Sequence, residues 1–100
     1  MRKIVLVCAA GMSTSMLVKK MQEAAADSGY ETEIAAYPIG EVDRVGQGAD
    51  IILLGPQVRF QLKSVKEKFP NTPVESIDMA AYGMMDGKKV IAAVKKTLGD

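Results

Sequence analysis

Residues 3–7 are dominated by β-branched and apolar side chains, and this run gives way to Ala9-Ala10-Gly11 and three hydroxyl residues, Ser13, Thr14 and Ser15. The pattern predicts a buried strand, a tight loop and the start of a helix. Leu17, Met21, Ala24 and Ala25 then recur at helical spacing, and Gly29 suits the left-handed residue after a helix C-terminus, which places a first helix over residues 14–28. A second strand is expected at 32–37, weakened by Ala35-Ala36, and Pro38, Gly40, Gly46 and Gly48 break up the next segment, leaving room for a short helical turn over 41–45. Residues 50–54 form a third strand whose hydrophobicity is continuous, as expected where both faces are covered. Val58, Leu62, Val65 and Phe69 share one helix face, and Pro70 ends that helix. A fourth strand is expected at 74–77, and Asp86 caps a last helix with Val90, Ile91, Val94 and Leu98 on its inner stripe.

Alternating strands and helices imply parallel pairing through right-handed crossovers. The expected fold is a single α/β domain over residues 1–100: an open four-stranded parallel sheet in order 2-1-3-4 with helices on both faces. In such sheets the crevice lies beyond the carboxyl ends of the strands, near the switch point beside strand one. Residues 8–15, 55–57 and 78–83 meet there.

Charge narrows the partners. Thirteen Lys and Arg against 12 Asp and Glu leave a net charge of +1, too little for a broad field that holds nucleic acid or an anionic membrane. The apolar stretches at 4–10 and 51–54 are far shorter than the roughly 20 residues a bilayer requires. The charged start imitates a secretory leader but runs on into a helical pattern. No membrane insertion is expected, and a cytoplasmic location fits. One cysteine forms no internal disulfide, and the chain holds no histidine, so neither a metal nor a cofactor is expected. The lack of histidine also excludes phosphohistidine, imidazole catalysis and a Cys-His dyad within this chain. Cys8 is left as the strong nucleophile.

Its surroundings match that chemistry. Cys8 stands at the end of the first strand, followed by Ala9, Ala10, Gly11, Met12, Ser13, Thr14 and Ser15. The first N–H groups of a helix have no internal acceptor and favour negative charge, so this segment is a candidate phosphate cradle. Donors of this kind also stabilise a thiolate, the nucleophilic form of cysteine. Such chemistry requires a sulfur that is not buried away from solvent amid main-chain N–H groups already engaged elsewhere. The plainer alternative is a small core cysteine beside a capped helix.

Hydrolase phosphate loops of this shape carry a cysteine, five residues, then arginine and a hydroxyl residue. Here the loop is phosphatase-like, but Thr14 stands at the arginine position and Ser15 at the hydroxyl. Without a guanidinium to clamp the equatorial oxygens, the loop is suited to hold phosphate and poorly suited to hydrolyse it. A low-molecular-weight cysteine phosphatase-like hydrolase is the main alternative function. A flavodoxin-like signalling or binding module is a third, disfavoured because Leu54-Gly55 lacks an acidic phosphoacceptor and the chain has only five aromatic residues.

Residues 8–15 with Leu17-Val18, then 53–57, Ile77-Asp78, Tyr82-Gly83 and Asp86-Gly87, resemble the IIB subunits of the lactose/cellobiose family of bacterial sugar phosphotransferase systems (PTS). The resemblance covers nearly the whole chain. It implies a protein-cysteine phosphotransferase component: Cys8 accepts a phosphoryl group from a phosphohistidine of the IIA subunit and passes it to sugar bound in the IIC membrane transporter. Residues 9–15 are then the cradle. Gln57, Asp78 and Tyr82 are candidate supporting residues, although Asp78 also suits a helix N-cap and Tyr82 a half-buried core position. Met12, Met79, Met84 and Met85 form a candidate docking surface, since flexible thioethers adapt to more than one partner. Arg59 belongs to no motif. By itself the chain is expected to be monomeric.

Overall fold

The computed structural model describes residues 1–9 and 14–100. Four strands, β1 (Arg2–Cys8), β2 (Thr32–Pro38), β3 (Ile51–Leu54) and β4 (Val74–Ser76), form one sheet in the order β2-β1-β3-β4. Every pairing is parallel, with Ile4 opposite both Ile34 and Ile51, and Ile52 opposite Val74. Among the described residues, α1 (Thr14–Asp27), α2 (Val42–Val45) and α3 (Leu62–Lys68) connect the strands, and α4 (Met79–Gly83) and α5 (Gly87–Leu98) follow β4. The expected topology and strand order are therefore those observed.

The alternation of side chains along a strand divides the interior into two cores. Ile4 and Leu6 of β1, with Ile51 and Leu53 of β3, face Leu17 and Met21 of α1 and Val90, Ile91 and Val94 of α5. Their neighbours Val5, Val7, Ile52 and Leu54 face the opposite way, toward Val42 and Val45 of α2, Val65 of α3 and Phe69. Both faces of β1 and β3 are thus covered, which is why their sequences are apolar without interruption. Each such side chain contributes on the order of 1.5–3 kcal/mol by leaving water.

The third helix departs from its expected form. The stripe of Val58, Leu62, Val65 and Phe69 does face the core, with Leu62 half-buried. The backbone, however, is a 3-10 turn over Pro56–Gln61 that leaves helical geometry at Val58 (φ −120°, ψ 16°), and α3 begins only at Leu62. Pro56 supplies no N–H, and β-branched Val58 tolerates the extended φ, so apolar spacing is kept while the helix is not. A second 3-10 turn, Ile39–Glu41, precedes α2. The remaining boundaries shift by a residue or so, and Asp86 caps α5 as expected, accepting from Lys89 N–H at 3.1 Å.

Candidate functional site

Cys8 is the last residue of β1, a strand with neighbours on both sides, so the sheet delivers its sulfur to the middle of the carboxyl edge. Thr14 opens α1, and its Oγ1 lies 3.2 Å from Cys8 Sγ, one of the two donating a hydrogen bond to the other. Cys8 is 1% exposed and Thr14 is wholly buried. The thiol is therefore covered rather than open to solvent, which is what the plainer reading of a small core cysteine expects. Thr14 stands where a hydrolase loop has arginine, and it brings a neutral hydroxyl to the sulfur. Ala9 and Ser15 are exposed. The candidate cradle residues Ala10, Gly11, Met12 and Ser13 lie outside the described residues.

The end of β3 forms the second wall. Gly55 N–H donates to Val7 O at 2.8 Å, which seats residue 55 against Cys8. A Cβ on Gly55 would stand 3.3 Å from Cys8 Cβ and only 2.8 Å from Gln57 Oε1. The glycine therefore makes room for the Gln57 carboxamide beside the cysteine. Gln57 Nε2 in turn donates to the Tyr82 hydroxyl at 3.1 Å. Of the three candidate supporting residues, Gln57 and Tyr82 are thus joined to each other. Asp78 is placed differently.

Asp78 is the N-cap of α4, accepting from Ala81 N–H at 3.0 Å, and its exposed carboxylate lies 3.6 Å from Lys89 Nζ. The Ala81 N–H, aided by Lys89, holds the carboxyl below its ordinary range, so it carries charge rather than a transferable proton at neutral pH. Its observed contacts are structural.

The rim is apolar. Met79 is 60% exposed and Met84 76%, as the docking expectation requires, but Met85 is half-buried against the core and takes a left-handed conformation (φ 53°) after α4. Two further exposed apolar residues belong to the same edge and have no counterpart among the expected ones. Phe60, 77% exposed, sits in the turn after β3, and Met16 lies in the first turn of α1. The signal was present for Phe60: a large aromatic residue off the buried stripe of its own segment. Arg59 lies alongside, its Nη1 3.4 Å from Met79 Sδ, tying the turn after β3 to α4. No helix among the described residues is long and apolar enough to cross a membrane.

Known proteins are similar to this chain in sequence and fold. The family model for the PTS lactose/cellobiose-specific IIB subunit matches residues 3–93. The cellobiose-specific EIIB component of Lactococcus lactis is 47% identical over 102 residues, covering 95% of this chain and 94% of that protein. The oligo-beta-mannoside-specific EIIB component of Bacillus subtilis is 50% identical over 92 residues, covering 89% and 88%. The solution structure of the cellobiose-specific phosphotransferase IIB component from Borrelia burgdorferi superposes with a TM-score of 0.79 at 36% identity, covering 98% of this chain and 92% of that one. With its parallel sheet in order 2-1-3-4 and a cysteine at the carboxyl end of the first strand, the chain belongs to the lactose/cellobiose-specific IIB family of sugar phosphotransferase systems.

Proposed function

We propose that Cys8 is a phosphoryl carrier, charged by a phosphohistidine of a IIA subunit and discharged to sugar bound in a IIC transporter. The carrying observation is the position of its sulfur, at the carboxyl end of a central parallel strand and 3.2 Å from the first hydroxyl of α1. In the loading step a thiolate lone pair forms the S–P bond. The N–P bond of the donor breaks with its electron pair going to the imidazole nitrogen, which takes up a proton equivalent to the one the thiol lost. Unloading reverses the roles: a sugar hydroxyl oxygen forms the new O–P bond, its proton is released and the thiolate is regenerated.

Residues 9–15 are assigned as the phosphate loop, because helix N-terminal donors favour the dianion that forms on sulfur. Thr14 in place of arginine fits a carrier: a neutral hydroxyl assists the sulfur without clamping the transition state for attack by water. Cys8 is 1% exposed, which counts against an open thiol, so on this reading docking of a partner must uncover the sulfur before transfer. The exposed Phe60, Met16, Met79 and Met84 surround this edge and supply the apolar contact on which both partners sit in turn. The relatives' different sugar names fit a subunit that handles the phosphoryl group and leaves sugar choice to the transporter.

Incubation with a histidine-phosphorylated IIA protein of the lactose/cellobiose family is expected to add one phosphate, read by intact mass, and Cys8→Ser is expected to add none. Equal labelling of the serine variant would remove Cys8 from the mechanism. Steady turnover of an aryl phosphate by the isolated chain would instead identify a hydrolase.

A further inference from the structure

We infer that the Gln57 carboxamide is a side-chain ligand of the phosphoryl group on Cys8, held ready in the unloaded chain by Tyr82. This rests on the phosphocysteine role proposed above and adds to it a specific donor. Gly55 supplies the geometry: a Cβ there would lie 2.8 Å from Gln57 Oε1 and 3.3 Å from Cys8 Cβ, so that oxygen and that carbon stand no more than about 6 Å apart. A phosphoryl oxygen on Cys8 sits two bonds beyond sulfur, and a staggered rotamer of the modified side chain can direct it into this interval. Rotation about the terminal torsion of glutamine, which has a broad and shallow profile, brings an N–H within the ~2.9 Å of an ordinary hydrogen bond.

The resting contact explains why the group is in place beforehand. Gln57 immediately precedes Val58, which belongs to the core of α2 and α3, whereas Tyr82 belongs to the core of α1 and α5. Their 3.1 Å hydrogen bond therefore reaches across the carboxyl edge of the sheet, from one face to the other, beside the end of β1. The carboxamide carries two N–H donors, and the bond to Tyr82 uses one. Gln57 is exposed, which leaves its carboxamide free to rotate. The chemistry suits a carrier. A neutral amide stabilises the phosphoryl dianion by one hydrogen bond, far less than a bidentate guanidinium, and so leaves the S–P bond ready for onward transfer.

The test uses the full chain and its Gln57→Met, Gln57→Glu and Tyr82→Phe variants, equilibrated with a histidine-phosphorylated IIA protein of the lactose/cellobiose family. Gln57→Met is expected to keep the melting temperature of the parent and to lower the equilibrium constant for phosphocysteine formation about tenfold, the loss of one hydrogen bond to a charged group. Gln57→Glu is expected to lower it further, because its carboxylate repels the dianion. Tyr82→Phe, which removes the hydrogen bond that Gln57 makes at rest, is expected to lower the constant less than Gln57→Met does. In the parent chain the Gln57 side-chain amide resonances are expected to shift downfield on phosphorylation. An unchanged equilibrium in Gln57→Met, a silent Gln57 amide, or a Tyr82→Phe loss equal to that of Gln57→Met overturns the assignment. Failure of the parent chain to take up phosphate on Cys8 is a different result and removes the carrier role itself.

Discussion

Gly87→Ala places two well-known effects in opposition at one residue. Gly87 is the first residue of α5, where alanine is the better helix former by up to about 1 kcal/mol, less at a terminus. Propensity alone therefore predicts a gain. The tertiary structure predicts a loss, because a Cβ there would lie 2.3 Å from Lys20 C, 2.4 Å from Lys20 O and 2.6 Å from Met21 N, all backbone atoms of α1. Carbon contacts are comfortable at roughly 3.5–4.0 Å, so α5 must retreat from α1 by about 1 Å or more. That movement loosens the core shared by Leu17, Met21, Val90, Ile91 and Val94. Overpacking of this kind costs about 1–3 kcal/mol, and contact with rigid backbone puts it at the upper end. After the propensity gain, a net loss of about 2 kcal/mol remains, which lowers Tm by roughly 8–16 °C in a domain of this size. Thermal and urea denaturation followed by circular dichroism measure it directly. A Tm equal to or above that of the parent would show that α1 and α5 are not in backbone contact.

Three other outcomes are expected. The carboxylate of Asp100 accepts from Arg2 Nε and Nη2 at 2.8 Å and from the Tyr30 hydroxyl, and chiefly the Arg2 contact holds its pKa down to about 2. A depressed carboxylate stabilises above its unfolded value of about 3.9 and ceases to do so as pH falls through about 2. The difference in Tm between parent and Asp100→Asn should therefore be constant from pH 7 to 5 and shrink between pH 4 and 2; a gap independent of pH contradicts the tie. Burial, then the hydrogen bond to Asp100, pushes Tyr30 up to about 12, so its spectrophotometric midpoint should fall in the same variant. At the rim, Phe60→Ser with Met84→Ser should leave Tm nearly unchanged, since both side chains are exposed, and raise KM for the phosphorylated IIA protein about tenfold with kcat within twofold. An unaltered KM means that this edge is not the docking surface.

Much of the fold was legible because its signals are local. The uninterrupted apolar runs of β1 and β3 required cover on both faces, and the alternation of Ile4 and Leu6 with Val5 and Val7 later sorted them into two cores. Asp86 before an amphipathic run announced the start of α5, and Cys8 was legible as the end of β1 ahead of a helix start. Other features have no local signal. The break at Val58 was hidden because a 3-10 turn and a helix bury nearly the same stripe. The contacts of Gly55 with Cys8, of Gln57 with Tyr82 25 residues away, and of Gly87 with the backbone of α1 arise from crossovers that bring distant strand and helix ends together. Spacing along a chain records which side of each element is buried. Which elements then meet at the carboxyl edge, and at what separation, is decided by packing between them.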